Sequence, residues 1–138
     1  MSQRTSLSVD TVLAPQSYRV TRDDLVAYAQ ASGDHNTIHQ DEAAALAVGL
    51  PGVIAHGMYT MALAGRAVRT WTDKAEVVEF GGKFTSMVVV PEGEGTVVDI
   101  AGRVTNVEDG LATIFIDVTC EGTKVLGGTK ALVRCTHL

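Results

Sequence analysis

Gly57-Met-Tyr-Thr-Met-Ala-Leu-Ala-Gly-Arg-Ala-Val-Arg-Thr-Trp71 is the stretch on which the fold turns. Met58, Met61, Ala62, Gly65 and Val68 recur at spacings of three and four, the period of one helix face. At 1.5 Å per residue the segment predicts a helix about 22 Å long. Its middle is rich in Ala and Gly, so another backbone is able to lie close against it. The prediction is a central helix wrapped by a sheet. Downstream the period changes. Segments 77–85, 95–106, 111–121 and 124–135 read as strands. The clearest has Ala112, Ile114, Ile116, Val118 and Cys120 on one face and Thr113, Phe115, Asp117 and Thr119 on the other. Asp109-Gly110 and Glu121-Gly122-Thr123 are hairpin turns, and sequential hairpins predict an antiparallel meander.

Upstream, 12–20 holds a short strand around Pro15. Segment 21–32 reads as a helix capped by Thr21, with Asp23 and Asp24 in the first turn, where the helix dipole favours acids. Leu25, Tyr28, Ala29 and Ser32 fall on one face, and Gly33 ends the helix. Segment 41–48 is a second short helix ending at Gly49. Residues 1–11 are polar and expected to be loose. The whole is an α+β chain read as one domain over 1–138.

Bulk properties narrow the function. A net charge of −5 gives no global basic field for nucleic acid. Two cysteines, Cys120 and Cys135, do not make a disulfide framework, which favours a reducing compartment. No apolar run approaches the roughly 20 residues that span a bilayer, and the N-terminus lacks a signal-peptide core. The expectation is a cytoplasmic protein without membrane insertion.

The chemistry concentrates in Ser32-Gly-Asp-His-Asn-Thr-Ile-His39. Gly, Asp and Asn are turn formers, so a plain polar turn is one reading. A metal site is a second, because His35 and His39 would share a face on a helix. Gly33 and the turn formers oppose a helix there, and His56 is the one plausible third ligand. The third reading is an acid/base pair. Asp34 and His39 converge if the loop folds back, and an imidazole moves protons near neutral pH. Ala55-His-Gly-Met58 then opens the central helix, whose free N–H groups favour a developing oxyanion. Gly57 lets a carbonyl approach closely, and His56 is a candidate supporting hydrogen-bonding residue. Together these are parts for proton transfer next to a carbonyl.

Tyr28-Ala-Gln-Ala-Ser-Gly-Asp-His-Asn-Thr-Ile-His39 followed by Ala55-His-Gly-Met58 resembles the MaoC-like (R)-specific enoyl-CoA hydratase family. Its motif is an aromatic residue, then S-G-D-x-N-P, an aliphatic residue and H, then a helix opening with H-G-M. Lys83-Phe84-Thr85 also sits where the family has a similar pair in a strand. The chain is most similar to the single-hotdog dehydratase subunits of actinobacterial type II fatty acid synthesis. The resemblance implies a hotdog fold, dimerising sheet to sheet. It implies a lyase that reversibly hydrates trans-2-enoyl thioesters of CoA or acyl carrier protein to (R)-3-hydroxyacyl thioesters, in fatty acid metabolism. Asp34 and His39 fall on the catalytic pair, Gly57 on the glycine whose amide holds the thioester carbonyl, and Asn36 on the asparagine that braces the loop. No cofactor and no metal is implied. The partner is a second copy or another hotdog subunit.

Thr37 departs from the motif, which has proline there. Arg66, Arg69, Lys83, Lys124 and Lys130 are candidates for a basic rim facing an acidic carrier, and Met58, Tyr59 and Met61 for a tunnel lining. The alternatives are a hotdog acyl-thioester hydrolase and a non-catalytic acyl-thioester-binding subunit. A hydrolase of this fold usually carries an acid on the central helix, and 57–71 holds neither Asp nor Glu.

Overall fold

The computed structural model describes residues 7–135. Strand β1 is Val12–Val20, helix α1 Arg22–Ser32, α2 Glu42–Ala47 and α3 Gly57–Trp71. Strands β2 Glu76–Phe84, β3 Thr96–Glu108, β4 Leu111–Cys120 and β5 Thr123–Arg134 follow. A single 3-10 turn at Thr37–His39 lies in what reads from sequence as loop. The looseness expected of residues 1–11 falls partly outside the described residues. Within them, Leu7 is buried, and Asp10 and Thr11 exchange backbone hydrogen bonds with Val104 of β3.

Local chemistry sets the element ends. The Thr21 hydroxyl accepts the Asp24 N–H, and the Asp24 carboxylate accepts the Thr21 N–H in return. α1 stops at Gly33, whose φ of 80° is the left-handed conformation that glycine adopts without steric cost. Both hairpins have two residues at positive φ, Asp109 with Gly110 and Glu121 with Gly122. That turn matches the right-handed twist of the flanking strands.

The five strands form one antiparallel sheet in the order β1-β3-β4-β5-β2. Only β3, β4 and β5 form the expected meander. β2 pairs with β5 at the far edge, from Glu76↔Arg134 to Phe84↔Leu126, and not with β3. The reason is the segment after β2. It returns past the start of α3, where the Ala55 N–H donates to Val88 O at 2.9 Å and the Val90 N–H to Val53 O at 2.8 Å. Arg22 of α1 donates to Val90 O at 2.9 Å and pairs with Glu42 and Glu92. The chain thus crosses to the other side of the sheet before β3 begins beside β1.

α3 packs across the concave face. Its buried positions are Thr60, Met61, Leu63, Ala64, Ala67, Val68 and Trp71. This stripe is rotated from the face read in the sequence, since Met58 is 58% exposed and Ala62 is exposed too. Gly57 and Gly65 instead face β2. A Cβ on Gly65 would lie 4.0 Å from the Phe80 ring and one on Gly57 2.9 Å from the Phe84 ring. From the sheet, Val98, Ile100, Val104, Ile114, Ile116, Val118 and Val133 fill the core. Trp71 closes one end of it, its indole N–H donating to Ala14 O at 2.6 Å.

Candidate active site

The end of α1 and the start of α3 bring the chemistry together. After Gly33 the chain folds into two nested Asx turns. The Asn36 N–H donates to the Asp34 carboxylate, and the Ile38 N–H to the Asn36 side-chain oxygen, each at 3.2 Å. Asn36 thereby caps the 3-10 turn that carries His39. The Ile54 N–H donates to Ile38 O at 3.2 Å and fixes this turn against the strand-like segment before α3.

Two buried imidazoles meet there. His39 is 7% exposed and His56 2%. The rings stack with centroids 3.9 Å apart and planes 26° from parallel. His39 Nδ1 lies 2.7 Å from Ile54 O. A carbonyl only accepts, so Nδ1 carries the proton and Nε2 keeps its lone pair. His56 Nε2 lies 3.1 Å from Asp34 O and donates by the same logic. Its Nδ1 is buried without a partner among the described residues. Burial lowers the His56 pKa and the nearby His39 adds to this; the Asp34 carbonyl bond and carboxylate oppose it. His56 is therefore neutral, and it anchors the backbone of Asp34. Tyr28 of α1 packs edge-on against it, with centroids 4.7 Å apart.

Asp34, His39 and His56 each offer a donor atom within 4.8 Å of the others. This differs from the His35, His39 and His56 set weighed from sequence; His35 is exposed on the turn. A metal would need lone pairs from both rings to converge at about 2.0–2.1 Å. Rings stacked nearly parallel aim their in-plane lone pairs alongside each other, which does not suit a shared ion.

A groove of about 310 Å³ runs from His39 past Gly57 and Thr60 of α3 to Phe84, Met87 and Leu126. No side chain caps α3, whose N-cap residue is His56 itself. The Gly57 amide at the helix start is therefore free of a capping oxygen, and Gly57 lines the groove. Asp34 is exposed, does not itself line the groove, and has a carboxylate oxygen within 4.8 Å of a ring nitrogen of His39, which does. Sequence reading missed Thr60 and the Ile54 carbonyl. Thr60 was available in principle, three residues beyond Gly57 on the same face. The carbonyl was not, since backbone acceptors carry no residue signature.

The model of the MaoC like domain family matches residues 6–123. The 3-hydroxyacyl-thioester dehydratase X of Mycobacterium tuberculosis is 36% identical over 105 residues, 67% of this chain. The chain spans about a third of that curated relative, 36% of its length. A solved MaoC-like dehydratase superposes with a TM-score of 0.91 at 30% identity, over 94% of this chain and 41% of its own. The (R)-hydratase from A. caviae involved in PHA biosynthesis gives 0.84 at 24% identity, over 94% of this chain and 98% of its own, a likeness of fold. The shared architecture is the α+β hotdog, an antiparallel sheet around a central helix.

Proposed function

The chain belongs to the MaoC-like domain family, and from that premise we propose that it reversibly hydrates trans-2-enoyl thioesters to (R)-3-hydroxyacyl thioesters in fatty acid metabolism. The observation that carries this is the orientation of His39. Its Nδ1–H is held by Ile54 O, which leaves Nε2 with its lone pair; His39 lines the groove with Gly57 and has a ring nitrogen within 4.8 Å of an Asp34 carboxylate oxygen.

In the hydration direction the thioester carbonyl accepts from the Gly57 N–H at the uncapped start of α3. Water bound by Asp34 and His39 loses a proton to one of the pair and adds to C3. The electron pair of the double bond moves to C2, with charge shared by the carbonyl oxygen, and the other member of the pair delivers a proton there. Dehydration is the reverse. Asn36 braces the turn and His56 holds the Asp34 backbone, so both are positioning residues. No acid on α3 supports the hydrolase alternative.

The substrate's carrier is CoA or acyl carrier protein, and no cofactor is required. The partner is a second copy or another hotdog subunit, supported by β2, an edge strand whose nine residues are all exposed. No helix among the described residues is long and apolar enough to cross a membrane. The unpaired Cys120 and Cys135 support a cytoplasmic place.

The test is loss of enoyl absorbance from crotonyl-CoA. Wild type turns over, and Asp34→Asn and His39→Ala each lose at least about 100-fold in kcat, the span of general acid–base catalysis. Rates like wild type in both variants sink the assignment.

A further inference from the structure

Thr60 is 4% exposed and lies on the inner face of α3. A threonine buried in a helix ordinarily returns its hydroxyl to the carbonyl four residues back. Thr70 of this same helix does so, donating to Arg66 O at 3.1 Å, and Thr72 just beyond its end donates to Val68 O at 2.8 Å. The hydroxyl of Thr60 makes no such bond and has no partner among the described residues. The sealed side-chain atoms without a partner among the described residues are His56 Nδ1 and Thr129 Oγ1, so the Thr60 oxygen is not sealed off, and a polar group from outside the chain can pair with it. Thr60 lines the same groove as His39 and Gly57, which defines where that group arrives.

Its chemistry follows from the helix. Gly57 and Thr60 are three residues apart, on one face and separated by about 4.5 Å along the axis. In a 3-hydroxyacyl thioester the carbonyl oxygen and the C3 oxygen are borne by carbons two bonds apart, a separation of the same order. With the carbonyl on the Gly57 N–H, the oxygen within reach of Thr60 and also of the His39 side of the groove is the one at C3. Beyond C3 the chain is aliphatic and offers a hydroxyl nothing. Val88, Val125 and Leu126 give the groove an apolar stretch, beside the more polar Thr85 and Ser86, and that stretch suits this part. We propose that the Thr60 hydroxyl binds the oxygen at C3, the hydroxyl of the 3-hydroxyacyl thioester or the water about to add. It holds this oxygen in line with Asp34 and His39. This rests on the hydratase reading above and names one more residue in contact with substrate.

Thr60→Val keeps the shape and removes the hydroxyl; Thr60→Ser keeps the hydroxyl. Binding of (R)-3-hydroxybutyryl-CoA and of butyryl-CoA, which lacks the C3 oxygen, is measured by calorimetry on the full chain carrying Asp34→Asn to suppress turnover. Crotonyl-CoA hydration is followed in the otherwise wild-type background. Thr60→Val is expected to weaken the hydroxy ligand about tenfold, the scale of one hydrogen bond, and to leave butyryl-CoA within about twofold. Hydration falls in step, and Thr60→Ser restores both. Equal losses for the two ligands, or none for either, overturn the role of Thr60 while an active wild type leaves the hydratase reading standing. A wild type that neither binds nor turns over these thioesters overturns both.

Discussion

At the residue scale the site is a problem of holding a loop still. Asp34, Asn36 and His39 lie on a turn fastened by side-chain to backbone bonds of 3.2 Å, with Asp34 exposed at its start. Thr37, the departure from the family motif, is the first residue of the 3-10 turn. Asn36 before it sits at φ −59°, ψ 127°, the extended conformation that a following proline demands. Proline is well tolerated at a first helical position, where its missing N–H has no intrahelical acceptor. Thr37→Pro is therefore expected to stabilise the fold by about 0.4–1 kcal/mol, by restricting the unfolded chain. The hydratase rate is kept. Denaturant midpoints at an unchanged slope check it, and a lowered midpoint would show that the backbone at 37 rejects the ring. That Asp34 and His39 come close was legible in the turn formers Gly33, Asp34 and Asn36, which fold the loop back. Thr60 was not, because nothing in a helical Thr says whether its hydroxyl is spent on the backbone.

At the element scale the periods of the sequence carried most of the reading. The alternation over 112–120 appears as a buried row of Ala112, Ile114, Ile116, Val118 and Cys120, and the hairpin turns fall at the Asp-Gly and Glu-Gly pairs. What periodicity left out is which element meets which. β2 lies beside β5, with paired residues from 42 (Phe84↔Leu126) to 58 (Glu76↔Arg134) positions apart in the chain, so no hairpin signal marks the pairing. The packing of α3 is likewise set by single glycines. Gly102 of β3 is buried, and a Cβ there would sit 2.6 Å from the Trp71 ring. That ring is 5% exposed and tied to Ala14 O, so it has nowhere to go. Gly102→Ala is expected to destabilise by about 1–3 kcal/mol, the cost of overpacking a core. Gly102→Ala combined with Trp71→Phe should recover part of it. Thermal unfolding of the two variants decides this; a fully stable Gly102→Ala would mean that α3 rides more loosely on the sheet than its contacts show.

At the scale of the whole molecule the sheet is unfinished. β2 closes one edge with all nine residues exposed, among them Val77, Val78 and Phe80 at 41%, 41% and 36%. An open edge offers unpaired N–H and C=O groups to another strand, and proteins blunt such edges with charge when they are to stay single. This strand carries Glu76, Glu79 and Lys83 but keeps its centre apolar. Phe84 at its end is 58% exposed and lines the groove beside Gly57, so whatever covers β2 also bears on the site. A lysine at Val78 puts a charge where a second sheet would have to pair, and a desolvated unpaired charge is costly. Val78→Lys is expected to convert the purified assembly to monomer, measured by light scattering across a dilution series. Hydration of crotonyl-CoA should fall with the fraction assembled, because a strand paired with β2 would wall the groove next to Phe84. A variant that turns monomeric at full activity would show that one chain completes its own site. One that stays assembled would move the interface away from β2.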